Sequence, residues 1–411
     1  MSINNWTDDR LTRAALGSLL SYGANEVLGL AARVGPAEAW QQLKAGRPPS
    51  AGDGASPELD LGERPAQAAR TDGGRRLAGG EAFRAWTASI VPQDVAEQTE
   101  KFGLRFIVPG DAEWPNALDD LAGCDIDHLG GLPVGLWVTG PGHLARWCDD
   151  AVALVGSRSA TRYGESVAMR LASELAGEPG AHPWTIVSGG AFGIDAASHR
   201  GALLAGGRTI GVFANGLDVA YPPGNASLVA SIRQLGLAVS ELPPGAHPTR
   251  HGFLARNRVI AALSSGTVVV EAALRSGARN TASWASAMGR LVMGVPGPVT
   301  SAMSVTPHRL IRDGEATLVS STDDIRALLT PIGQGPELPF AGQVRRGDDL
   351  SGDDKVVREA LPARGGMSVS EVVLAAGVPV PRCVAALSRL SEGGFAVTDE
   401  QGRWRARPLT S

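Results

Sequence analysis

The chain reads as an α/β protein with an extended parallel-sheet core, a small helical module before it and a winged-helix module after it. Three observations predict this. Short apolar runs alternate with Gly-rich turns and helical stretches through the middle of the chain; the first segment has helical spacing alone; the last has three helical patterns followed by two short strand-like pieces. At about 100–200 residues per domain, 411 residues give two to four domains. With 43% apolar residues, 19% charged residues and net charge −4, the chain can bury a large core.

In residues 1–45, Leu11, Ala15 and Leu19, then Val27, Leu30, Ala31 and Val34, recur at helical spacing, interrupted at Tyr22-Gly23 and Gly35-Pro36. The spacing predicts a module of short helices. Residues 46–80 exchange aromatic and β-branched residues for Gly, Pro, Ala and charge, the composition of a flexible linker. Residues 81–330 form the α/β domain, entered through a helix at Phe83 to Phe102. Its predicted strands are Phe106–Val108, Leu136–Val138, Val152–Val155, Thr185–Val187, Thr209–Phe213, Leu237–Val239, Thr267–Val270 and Leu291–Met293. Such nearly continuous apolar runs suit a parallel sheet covered on both faces. A second polar linker, residues 331–352, precedes residues 353–408, where three helices and the pieces Gly393–Val397 and Gly402–Trp404 make a winged helix.

Several strands end in turns that feed helices, and open α/β sheets bind ligands at such carboxyl ends. Gly156-Ser157-Arg158 opens one helix, combining backbone N–H groups with an arginine that suits a phosphate; the alternative is an ordinary turn with Arg158 on the surface. The loop Ser188 to Asp195 contains Gly189, Gly190 and Gly193, where the backbone approaches either a ligand or a neighbouring element closely. It lacks the dinucleotide fingerprint, and no acidic residue ends the following strand to hold a ribose. Phe192 in this loop either stacks on a base or anchors the loop in the core. Further along, Arg256, Asn257 and Arg258 open a buried helix, and Arg275 and Arg279 flank another helix entry. With Arg158 these make five arginines that a parallel sheet brings to one edge, unless Glu241, Asp218 and Glu271 neutralise them internally.

Several function classes fall away. Lys44, Lys101 and Lys355 are the chain's lysines, so no P-loop or Schiff-base lysine operates between 101 and 355. No G-x-S-x-G or H-E-x-x-H is present, and His247 and His251 straddle a proline in a loop, which makes a solvated loop a better reading than a metal site. Glu271 is the ionisable group best placed for chemistry, although a carboxylate there also suits a helix cap. Three cysteines make no disulfide framework, and neither a secretory signal nor a run of 18 apolar residues occurs, giving a cytoplasmic expectation without membrane association.

Taken together, VALVGSRSATRYG, SGGAFGIDAASHRGAL, GLDVAYPPGN, FLARNRVIAALS, VVVEAALRSGARNTA and GVPGPV resemble the DNA-processing protein A (DprA/Smf) family from residue 104 to about 329. The resemblance implies an extended Rossmann-like core flanked by a sterile-alpha-motif-like helical module and the winged helix. It also implies a homodimeric, non-enzymatic recombination mediator that binds single-stranded DNA in natural transformation and loads RecA, with no cofactor or metal. By motif match, Arg158 contacts phosphates, Arg256 and Arg258 belong to the same positive pocket, and the glycines of residues 189–193 line it. Many relatives carry a basic residue where Phe192 stands, and Glu315 departs from a position that is usually alanine. The competing reading is a nucleotide phosphoribohydrolase-type enzyme using Glu271. In the winged helix, Arg382 and Arg389 are the basic residues of Pro381 to Leu390, too few for groove reading, which favours a protein-contact or dimer role for that helix over duplex DNA.

Overall fold

The computed structural model describes residues 6–45, 85–127, 129–177, 180, 182–330, 350 and 352–407. The 46–80 linker and most of the 331–352 linker expected from composition lie outside the described residues. The chain forms two compact units, residues 1–336 and 337–411.

The first unit begins with α1 (Asp8–Val34) and α2 (Pro36–Lys44). Contrary to the expected break at Tyr22-Gly23, α1 is one 27-residue helix. A lone glycine costs a helix only about 1 kcal/mol, and the flanking turns are held by burial of Leu16, Leu19, Val27, Leu28 and Leu30. The expected break at Gly35 does occur, with Pro36 opening α2. The helix expected over Phe83 to Phe102 is instead divided: residues 85–89 are helical, and α3 (Pro92–Lys101) starts anew. Pro92 excludes the helical conformation for Val91, which is extended.

Nine strands form one sheet: β1 (Arg105–Ile107), β2 (Leu136–Thr139), β3 (Ala151–Val155), β4 (Thr185–Ser188), β5 (Thr209–Phe213), β6 (Leu237–Ser240), β7 (Gly266–Val269), β8 (Leu291–Gly294) and β9 (Thr317–Leu318). Their order is β1-β2-β6-β5-β4-β3-β7-β8-β9. From β6 to β9 every pairing is parallel, whereas β1 and β2 close the β6 edge antiparallel. Each of the eight runs expected as a strand is one. Apolarity reports that a strand's faces are buried but not its direction, so the antiparallel edge escapes the sequence pattern. The exposed β9 carries no apolar run and escapes it too.

The parallel strands alternate with α4 (Leu144–Cys148), α5 (Arg162–Gly177), α6 (Ile194–Leu204), α7 (Ala226–Leu235), α8 (Arg250–Ala262), α9 (Gly277–Ala287), α10 (Val305–Arg312) and α11 (Thr322–Leu329). Alternation along β3 sorts the two covering layers. Ala151, Ala153 and Val155 face α8 and α9 through Val259, Leu263, Ala282 and Trp284. Val152 and Leu154 face α5, α6 and α11 through Leu171, Leu175, Ile194 and Ile325. The chain runs outward from β3 through β4, β5 and β6, then returns to place β7 on the other side of β3. That reversal makes the β3–β7 boundary a topological switch point, where the carboxyl ends diverge into a crevice.

In the second unit, α12 (Gly352–Ala360), α13 (Val369–Ala376) and α14 (Val380–Glu392) precede the hairpin β10 (Ala396–Thr398) and β11 (Trp404–Ala406). Val357, Val372, Leu387, Leu390 and Phe395 fill their core. A capping box between Ser368 and Glu371 starts α13, and Gly377 in the left-handed region ends it.

Trp137 of β2 ties the amino-terminal helices to the sheet: it is fully buried, its ring centroid lies 4.4 Å from that of Phe106, and its Nε1 donates to Thr99 Oγ1 of α3 at 2.9 Å. Replacing it by alanine leaves a large cavity and removes the bond to Thr99, which keeps its donation to Val95 O, and is expected to cost about 3–5 kcal/mol in urea unfolding.

Candidate nucleic-acid interface

Every loop that follows a parallel strand from β3 to β8 reaches the same edge of the sheet, and α5 to α10 start there. Aligned peptide dipoles and free N–H groups make that edge electropositive before any side chain is considered.

At the switch point, the turn after β3 is locked from both sides. Ser157 N donates to Glu271 O, just beyond β7, at 2.6 Å, and Ser157 O accepts from Ile194 N at 3.2 Å. Ser157 Oγ accepts from Ser159 N at 3.1 Å, which folds the turn back on itself. Ser157 is therefore buried, while Arg158 beside it projects into solvent. Its guanidinium lies 4.6 Å from the centroid of the Phe253 ring on α8, and the tilted Tyr221 ring has its centroid 5.8 Å from that of Phe253. Neither Phe253 nor Tyr221 is marked as a site residue by the sequence pattern alone. The signal for Phe253 was its place in FLARNR, one helical turn before Arg256.

The glycine loop resolves its two readings toward close packing against protein. A side chain on Gly189 would strike the Arg256 guanidinium, one on Gly190 would strike the Phe213 ring, and one on Gly193 would strike Ser157 O. Gly190 and Gly193 also have φ of 69° and 72°, which suits glycine alone. Phe192 is 47% exposed with its ring against Gly224, so it stands on the rim and is not the buried anchor of the alternative reading.

Arg256 and Arg258, expected together in a phosphate pocket, take different places. Arg256 is buried and donates through Nη1 to Gly189 O at 2.7 Å and to Val212 O, fastening the ends of β4 and β5. Burial pulls its pKa down to about 10, against the support of Asp195, so it stays charged at neutral pH. Burial likewise raises the Asp195 carboxyl, opposed chiefly by Arg256. Arg258 is 1% exposed and grips Glu241 with both terminal nitrogens, Nη2 to Oε1 at 2.6 Å, while Nε donates to Gly131 O at 3.1 Å. This corrects the expectation for Arg258: its charge is spent on Glu241, and no surface is left for a phosphate. Asn257 is also turned inward, donating to Gly277 O and Asn280 Oδ1 at 3.3 Å. Arg279 pairs with Glu315 at 3.3 Å. Arg275 is exposed, and among the described residues it forms no ion pair; the same holds for Arg158, Arg162 and Arg250.

Glu271 is 1% exposed, and both oxygens are occupied: Oε2 accepts from Thr161 N at 2.9 Å and Oε1 from Thr161 Oγ1 at 2.8 Å. It tethers the entrance of α5, the capping role weighed against chemistry. Asp218 Oδ1 accepts from Gly245 N at 2.7 Å. The four carboxylates Asp195, Asp218, Glu241 and Glu271 are thus engaged within the protein, and the four exposed arginines keep an unneutralised edge. Among the described residues no cluster of three or more His, Cys, Asp or Glu could hold a metal.

The fold and this edge define a Rossmann-like protein with a cationic, aromatic-rimmed edge at its switch point. Residues 105–330 match the family model of DNA recombination-mediator protein A, and the chain belongs to that family. A Mycobacterium tuberculosis protein carrying the DprA name is 44% identical over 317 residues, covering 76% of this chain and 79% of that protein. Protein Smf of Escherichia coli is 35% identical over 320 residues, covering 73% and 77%. The X-ray structure of DNA processing protein A from Streptococcus pneumoniae is 33% identical with a TM-score of 0.53, covering 62% of this chain and 83% of that one.

Arg258→Ala removes a buried guanidinium, leaves the part-buried Glu241 without its partner and is expected to cost about 3 kcal/mol in denaturant unfolding, with no change in the salt dependence of ligand binding. His199 supplies a pH test. It is fully buried against Thr209 Oγ1 at 2.7 Å, and desolvation, then the charges of Arg256 and Arg200, lower its pKa from 6.5 to about 3. The unfolded chain binds this proton first, so stability is lost as pH falls from about 6.5 toward about 3. The urea midpoint of the wild type should fall more steeply over that range than that of His199→Gln; parallel curves would remove His199 as the cause.

Proposed function

We propose that the chain is a recombination mediator that binds single-stranded DNA along the carboxyl edge of its sheet. The observation that carries this reading is Arg158: exposed at the switch point, free of any ion pair among the described residues, and seated on Phe253. Arginine offers a phosphate paired donors. Exposed Phe192 and Tyr221, with Phe253, offer stacking faces that accept any base. Arg162, Arg250 and Arg275 extend the positive edge beyond one phosphate. Arg256, Asn257 and the glycines act from beneath, holding the loops that carry these groups, and Arg279 is open to DNA only when it leaves Glu315.

The protein acts by binding and not by catalysis: the carboxylate considered as acid or base, Glu271, is fixed to Thr161. The reading includes RecA as the protein partner loaded onto the bound strand, a homodimer as the working form, natural transformation as the setting and the cytoplasm as the compartment; family membership supports these. No single described helix is long and apolar enough to cross a membrane. The reading keeps the five-part division into a helical module (1–45), a linker (46–80), the DNA-binding domain (81–330), a second linker (331–352) and the winged helix (353–408).

Fluorescence anisotropy of a labelled single-stranded oligonucleotide, titrated with salt, tests the site. Binding should weaken with salt, and Arg158→Ala should weaken it further while reducing the slope of log affinity against log salt by about 0.7, the loss of one single-strand phosphate contact. An unchanged affinity and slope would remove Arg158 from the site.

A further inference from the structure

The second unit carries a charged row that the crevice does not explain. In its hairpin, Ala396 pairs with Ala406, Val397 with Arg405 and Thr398 with Trp404. Hydrogen bonding continues past both ends of β11: Asp399 N donates to Arg403 O at 3.0 Å, and Arg407 N donates to Phe395 O at 2.9 Å. The strand alternation therefore runs from 403 to 407. Trp404 and Ala406 pack on the core, and Arg403, Arg405 and Arg407 stand exposed on the opposite face. At the rise of a strand, successive members of this row are about 6.6 Å apart.

Three like charges in a row repel one another, and the unit does little to neutralise them. Arg403 lies 3.9 Å from Glu371, with both side chains about half exposed, a contact of little worth in water. Among the described residues, neither Arg405 nor Arg407 forms an ion pair. Two acidic residues lie at the turn: Asp399 accepts through Oδ1 from Gln401 N and Arg403 N, and exposed Glu400 forms no ion pair with the row among the described residues.

The helix that a winged-helix protein ordinarily lays in a groove has the reverse character. Arg382 holds Asp353 through two bonds of 2.6 and 2.7 Å, and Arg389 holds Asp354 at 2.6 Å. Both arginines of α14 are thereby turned to α12. The rest of its exposed residues are apolar or small, apart from the acidic Glu392 at its end, and include no cation.

We propose that this unit binds the phosphodiester backbone of nucleic acid with its wing, through Arg403, Arg405 and Arg407, and that α14 does not read a groove. An evenly spaced row of guanidiniums matches a polymer of evenly spaced anions. Each arginine presents planar paired donors to a phosphate. The row contains no group that distinguishes bases, so binding is sequence-tolerant. The residues of this row are distinct from those of the crevice, so the two sites can be tested by separate substitutions.

The test uses the full-length chain, with labelled single-stranded and duplex oligonucleotides followed by anisotropy across a salt series. Arg405→Gln with Arg407→Gln is the principal variant, since both side chains are exposed. Lys355→Gln with Arg364→Gln removes the same charge from exposed positions of the same unit outside the row. Arg158→Ala reports the crevice independently. The wing variant should lower affinity and reduce the salt slope by about 1.4 on single strands or 1.8 on duplex, with the melting temperature unchanged. Loss confined to one of the two ligands identifies the source of the backbone. An effect of equal size in the Lys355/Arg364 variant, or unchanged affinity and slope with both ligands, overturns the wing site. A wing effect alongside a silent Arg158→Ala would sink the crevice and leave the wing standing.

Discussion

A charged guanidinium buried beneath the carboxyl edge of the sheet holds that edge in shape. Arg256 is closed off from water, and stripping its hydration is costly unless hydrogen bonds and an opposite charge replace it. Gly189 O and Val212 O supply the bonds and Asp195 the charge. The consequences spread outward from this contact. Gly189 has no room for a side chain because the guanidinium occupies it, and the loop that begins there delivers Gly193 against Ser157 O. That contact fixes the turn carrying Arg158. A surface arginine at the switch point is thus aimed by a buried one that never reaches the ligand. The two positive charges also disfavour each other, so Arg158 has reason to remain on the solvent side, over the face of Phe253.

The same principle separates every arginine of the edge into one of two kinds. Where a carboxylate is within reach the charge has an internal partner, buried for Arg258 with Glu241 and at the surface, where water screens it, for Arg279 with Glu315. Where none is, the positive field extends into water, as at Arg158, Arg162, Arg250 and Arg275, reinforced by the amino ends of the surrounding helices. A net charge of −4 is compatible with binding a polyanion because local charge decides: at this edge Asp195, Asp218, Glu241 and Glu271 are engaged within the protein while four exposed arginines stand in solvent. The winged-helix unit repeats the pattern, with the helix arginines answered by Asp353 and Asp354 and the wing arginines left in solvent.

Much of the fold is legible in the chain itself. Eight apolar runs mark eight strands, because a strand buried on both faces tolerates little else, and turn glycines mark their ends. Pro36 and Pro92 open helices where a missing N–H is harmless. What misleads is local punctuation overruled by packing, as when Gly23 fails to break α1 because buried turns on either side hold the helix. The direction of β1 and β2 is illegible for another reason: apolarity records how deeply a strand is buried, and the connections decide which way it runs.

The candidate site divides along a similar line. Sequence alone determined that glycine-bearing turns end the strands, that arginine rather than lysine supplies their charge, and that Arg158, Arg256 and Arg258 fall at or near strand-to-helix connections, since these follow from residue type and strand-to-helix order. Only the tertiary structure decided which of those arginines faces water. Arg256 and Arg258 are two residues apart on one helix, yet one braces the glycine loop and the other grips Glu241 from β6's end, because residues two apart on a helix point to different sides. Partners drawn from distant segments, Gly189, Val212, Glu241 and Thr161, cannot be read from spacing, and a charge is free for a ligand only when folding brings no partner to it.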